Sequence, residues 1–150
     1  MMKKWIVLGL TTLCSLSGLA TENIDLRRLG FKENPASMRY YVEHYGNIDS
    51  KEYRDLLIGV RVAADSIDFY TRRLDARNQR IDYCLPMKDP ANREALWDWK
   101  TKDLMVLINN HIEHDPSYKK YGKPGIAGSI GSYLIAALKE QYPCPVQKQL

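Results

Sequence analysis

The strongest constraint on the fold lies between residues 56 and 74. Leu56, Val60, Ala63, Ile67, Tyr70 and Leu74 recur at alternating spacings of four and three. That recurrence draws one continuous face along an α-helix. Arg61, Asp65, Asp68, Arg72 and Arg73 fall on other sides and read as a solvated face. The carboxylate pair Asp65 and Asp68 fits there as part of an exposed, ion-paired surface. Asp49 followed three residues later by Glu52 resembles a capping box, and the helix is expected to reach about Asn78. Gly59 costs up to about 1 kcal/mol relative to Ala in mid-helix. Close approach of a neighbouring helix would account for it.

The rest of the chain reads as shorter helices around this one. Asn34 and Pro35 suit the cap and first position of a helix ending near Tyr45 and Gly46. Residues 81–91 form a connection holding Cys84 and Pro86. Asp89 and Pro90 then suit the start of a third helix, which runs to about His111 or Ile112 and carries Leu96, Trp97, Leu104, Met105, Ile108 and Ile112. A polar interval from Asp98 to Asp103 interrupts its beginning. Residues 113–125 contain two prolines and two glycines, which predicts a loop without regular helix. A last helix is expected from about Ile126 to Tyr142, stopped by Pro143. Gly125, Gly128 and Gly131 would let its first turns approach another backbone. No segment shows strand alternation. The fold class expected is all-α, a compact bundle of four to five helices stapled by one disulfide.

Residues 1–20 read as a cleaved secretory signal peptide. Lys3 and Lys4 precede a short apolar stretch, Trp5 to Leu13, and Gly18 and Ala20 stand at small-residue positions before a cleavage point. The stretch is short for a membrane span. Leu13 stands where a lipobox before Cys14 needs a small residue. Residues 21–150 then form a single domain, with 21–33 showing no sustained period. A chain of this length buries roughly two-thirds of its unfolded surface. Loss of Lys3 and Lys4 takes the formal charge from +4 to +2. No concentrated basic face suggests nucleic acid, and no second segment suggests a membrane span. The leader's short form points to a bacterial periplasm. There, Cys84 and Cys144 read as a disulfide closing a loop of about 60 residues. The rival is a reactive thiol paired with a histidine.

Chemistry-bearing constellations are sparse. His111 and His114 have a metal-like spacing but lack a third and fourth ligand. Cations near a helix C-terminus explain them without metal. No Gly-x-Ser-x-Gly elbow and no His-Glu-x-x-His motif occurs. No cofactor, metal or catalytic set is therefore expected. Of ten tyrosines, Tyr118 and Tyr121 stand out, because they lie beside Lys119 and Lys120 in the turn-rich loop. Tyrosine there offers a stiff contact surface with a polar tip. The alternative is that both pack back on their own helices.

The second half resembles the Rap/Tai-type immunity proteins of type VI secretion systems. The resemblance rests on Cys84-Leu85-Pro86, the segment 104–116, Ala137-Leu138 and Tyr142-Pro143-Cys144, with Leu57-Ile58-Gly59-Val60 similar to the family's Gly-Val segment. It spans roughly residues 55–145. A further cysteine that family members often carry before the Gly-Val helix has no counterpart here. The resemblance implies an all-α periplasmic protein, often a homodimer, that binds a peptidoglycan amidase effector and occludes its active-site groove without chemistry of its own. The expected binding surface is residues 113–124, with Glu113, His114, Asp115, Tyr118, Lys119, Lys120 and Tyr121 as candidates. The alternatives are a small disulfide-bonded helical periplasmic chaperone and, in a third class, a murein hydrolase.

Overall fold

The computed structural model describes residues 33–90 and 92–145. Residues 1–20, expected to be a signal peptide, and residues 21–32 lie outside the described residues. Among the described residues five α-helices follow in order: α1 Met38–His44, α2 Lys51–Asp75, α3 Thr101–His114, α4 Pro116–Tyr121 and α5 Ile130–Gln141. The all-α reading holds, with one small addition. A two-stranded antiparallel hairpin, β1 Met87–Asp89 and β2 Asn92–Arg93, sits between α2 and α3.

Helices α2, α3 and α5 pack against one another, and α1 closes one end. The core is a single apolar cluster whose fully enclosed members include Leu56, Leu104, Ile108, Leu134 and Leu138. Burying each such side chain stabilises the fold by about 1.5–3 kcal/mol. Tyr41 of α1 is fully buried too, and it stays compatible with the core because its hydroxyl donates to Asn109 Oδ1 at 2.8 Å. The carbonyl of Met105 lies 3.1 Å from the same hydroxyl. Burial pushes its phenol well above the ordinary range.

The starts of α1 and α5 are tied backbone to backbone. Ile130 N donates to Ala36 O at 2.8 Å and Met38 N to Gly128 O at 3.0 Å. This pairing explains why α5 begins at Ile130 and not at Ile126. Gly128 adopts φ +101°, a left-handed geometry that favours glycine. Ser129 then caps the helix through a reciprocal pair with Ser132. It also revises the expectation for Gly59. A Cβ there would lie 2.8 Å from the carbonyl oxygen of Pro35. The close neighbour is the turn before α1, not a helix. That turn stays outside the helix because Ser37, not Asn34, caps α1. Asn34 instead accepts from Ala36 N in a local turn.

Three further expectations are corrected. Ser50, not Asp49, caps α2, accepting from Tyr53 N at 3.0 Å. Asp89 starts no helix. Its carboxylate accepts from Asn92 Nδ2 at 2.9 and 3.0 Å and closes the hairpin turn containing Pro90. A 3₁₀ turn at Leu96–Asp98 follows, and α3 starts only at Thr101. Finally, residues 113–125 are not without regular helix. Pro116 occupies the first turn of α4, where a missing N–H costs nothing. Gly122 ends that helix at φ +64°.

Cys84 and Cys144 form the expected disulfide, with Cα atoms 4.8 Å apart. Cys84 N also donates to Tyr142 O at 2.8 Å. The bond thus fastens the end of α5 to the segment leaving α2. Among the described residues no helix is long and apolar enough to cross a membrane.

Candidate functional site

The seven residues singled out from sequence gather at one end of the bundle, where α3 gives way to α4. They do not all face outward. Glu113, His114, Lys119, Lys120 and Tyr121 are exposed, while Asp115 and Tyr118 are half-buried. Tyr118 packs against the core. Tyr121 remains 60% exposed, with Lys120 Nζ 4.8 Å from its ring centre. The two readings of these tyrosines therefore divide between them. His114 turns its Nδ1 to Asn110 O at 2.8 Å, and His111 pairs with Glu140 at 2.8 Å.

Asp115 fixes the geometry of this end. One carboxylate oxygen accepts from Ser117 N at 2.6 Å and Tyr118 N at 3.2 Å, capping α4. The other accepts from the Tyr133 hydroxyl of α5 at 2.6 Å. Burial pushes its carboxyl upward, but hydrogen bonds from Tyr133, Tyr118 and Ser117 outweigh it and hold the carboxyl below its ordinary value. The 3₁₀ turn Lys123–Gly125 then packs on the first turn of α4. A Cβ on Gly125 would lie 2.3 Å from Ser117 O, so only glycine fits. The result is a short, braced knob carrying two lysines and a tyrosine.

A depressed carboxyl pKa stabilises the fold above the unfolded value near 4, and that contribution fades as pH falls through the folded value. Asp115→Ala is expected to cost about 1–2 kcal/mol at pH 7, from the lost cap and the lost Tyr133 partner. The difference from the parent protein should narrow as the pH is taken from 7 to below the lowered folded value. Urea unfolding at both pH values measures it.

Sequence reading missed a second surface, on the flank of α2. The buried line of α2 is Tyr53, Leu56, Val60, Ala64 and Asp68. Tyr70, expected on the apolar face, is 63% exposed, and Ala63, Ile67 and Leu74 are only half-buried. Asp68, expected on the solvated face, is 3% exposed. The irregular stretch 94–99 lies across this side of α2, and its backbone polar groups need partners. The helix supplies them. Arg61 donates to Trp99 O at 2.9 Å and Leu96 O at 2.8 Å. Asp68 Oδ1 accepts from Leu96 N at 3.1 Å, and Oδ2 accepts from Arg72 Nε at 2.8 Å. Arg72 also donates to Glu94 O at 3.2 Å and lies 4.5 Å over the exposed Trp97 ring. The detectable signal was the spacing of Leu56, Val60, Ala64 and Asp68 by four, with Arg72 one turn further on to neutralise the carboxylate.

Two clefts flank Glu94. An open one of about 430 Å³ is lined by Lys88, Glu94, Asp98, Trp99 and Asp103. A smaller one of about 40 Å³ lies against Asp68, Arg72, Tyr83 and Arg93. Among the described residues no three His, Cys, Asp or Glu side chains gather as a metal site. Compared with protein-family models, curated proteins and solved structures, the chain gives no match.

Proposed function

We propose that this protein is a periplasmic immunity protein that binds a type VI secreted peptidoglycan amidase and occludes its active site. The observation that carries the reading is the Cys84–Cys144 bond. It joins two of the segments that carry the resemblance, Cys84-Leu85-Pro86 and Tyr142-Pro143-Cys144. Such a bond forms in oxidising compartments, where a murein-cutting toxin acts. The braced knob at 113–125 supports binding by surface complementarity. Rigid presentation of tyrosine and lysine lowers the ordering cost of association. Co-expression with sibling amidases in the periplasm tests the reading. Rescue of growth and co-purification of one amidase are expected. Survival of no strain, with no amidase retained, would refute it.

One observation favours a second reading, a small chaperone. Ile58, Val62 and Phe69 line the outer side of α2 and are all more than half exposed. Such a chaperone would open near pH 3 and suppress aggregation of unfolded clients. A cooperative fold at that pH, with no such suppression, counts against it.

A further inference from the structure

Three lysines away from the knob lie against carboxylates. Lys51 is 2.6 Å from Asp55, Lys139 is 3.1 Å from Asp82 and Lys88 is 3.5 Å from Asp98. The knob departs from that pattern. Residues 116–125 contain three lysines and no acid. Lys119, Lys120 and Lys123 are all exposed, and among the described residues none of them makes an ion pair. The two acids nearest in sequence do not neutralise them. Asp115 is half-buried at the base of the knob, with its oxygens engaged by Ser117 N, Tyr118 N and the Tyr133 hydroxyl. Glu113 belongs to the last turn of α3 and makes no ion pair with the three lysines.

The dipole of α4 accounts for Lys119 and Lys120 in its last turn. It does not account for Lys123, which lies beyond that helix in the 3₁₀ turn. The backbone that carries all three is fixed at both ends, by the Asp115 cap and by the contact of Gly125 with Ser117. Like charge concentrated on a fixed backbone raises the local potential, and a partner of opposite charge relieves the repulsion. Tyr121 adds a neutral donor, since its exposed hydroxyl makes no hydrogen bond among the described residues. The surface therefore offers donors and positive charge to oxygen acceptors. From this we infer that the knob docks on a carboxylate-rich surface of a partner protein, with Lys119, Lys120 and Lys123 facing its acidic side chains and Tyr121 as the contact ring. A protein fits this surface better than an anionic bilayer does. Adsorption to a bilayer needs an apolar helical face beside the charges. Helix α4 has six residues, and Tyr121 is its one large exposed apolar side chain. The inference rests on the proposed reading for the knob as the contact site, but not for the partner being an amidase.

The probe is a capped hexaglutamate peptide, with hexaglutamine as the neutral control, titrated into the folded, oxidised protein at neutral pH and low salt. Amide NMR follows the binding. Saturable shifts confined to residues 116–125 are expected with hexaglutamate. They should vanish at about 0.5 M salt, where the Debye length falls to about 4 Å. Lys119→Gln, Lys120→Gln and Lys123→Gln together are expected to weaken the peptide about tenfold while leaving the circular dichroism spectrum unchanged. Lys100→Gln with Lys102→Gln, which alters exposed lysines at the start of α3, should leave the affinity unchanged. The titration needs no amidase, so its outcome is separate from that of the co-expression test. Equal shifts around Lys100 and Lys102, an equal response to hexaglutamine, or full affinity in the triple variant would overturn the inference. So would retention of the parent protein, but not of the triple variant, on phosphatidylglycerol vesicles with no response to hexaglutamate, which would assign the knob to a lipid surface.

Discussion

Replacing both cysteines, Cys84→Ser with Cys144→Ser, is expected to lower the unfolding free energy by about 4 kcal/mol. The estimate follows from the loop that the bond closes. Its sequence separation is 60 residues, and the chain-entropy relation gives roughly 4 kcal/mol for that length. A domain of this size typically has about 5–15 kcal/mol in all, so the variant should be close to unfolding at 37 °C. Each single replacement should cost nearly as much as the double, because either one breaks the same bond. Denaturation in urea, with and without a reductant, measures both effects. The parent protein with reductant should match the double variant. A loss below about 1 kcal/mol would mean that the packing of α5 alone holds its end in place.

Asp68→Ala is expected to be the most damaging single replacement on α2, at about 2–3 kcal/mol. Breaking a fully buried ion pair costs about 3–5 kcal/mol. Here Arg72 is 40% exposed and can return to water, which lowers the figure. What remains is the orphaned Leu96 N–H and the loosened stretch 94–99. Asp68→Asn should recover much of the loss, since an amide oxygen can still accept from Leu96. The change should be visible in tryptophan emission, because Trp97 is held by Arg72 and Trp99 by Glu94. A red shift in Asp68→Ala, absent in Asp68→Asn, is the expected pattern. Unchanged emission and stability in both would place the weight of this face on Arg61 instead.

These two sites show what periodicity can and cannot reveal. The central helix was legible because Leu56 and Val60 sit a turn apart and both are buried. The bond was legible from the expected export signal and the even count of cysteines that its cleavage would leave. Asp68 was not legible, because a carboxylate is assigned to water unless its partner is known. That partner is the backbone of residues 94–99, an irregular segment whose course no period announces. The hairpin at 87–93 failed for a related reason. Asp89-Pro90 has the chemistry of a helix start and of a turn alike, and Asn92 decides between them through side-chain hydrogen bonds. At the candidate knob, Tyr121 was read as a contact residue and stands exposed. Asp115 and Tyr118, chosen by the same composition, are engaged in building the knob. Sequence placed the seven together but could not divide the presenting residues from the bracing ones.

The most direct measurement of the central proposal is the rate at which a purified sibling amidase releases peptides from murein sacculi as this protein is added. Occlusion of the active site predicts a linear fall that reaches baseline near one binding equivalent, and no recovery when substrate is raised while the complex persists. An undiminished rate with every sibling amidase, at tenfold excess of folded, oxidised protein, would contradict it.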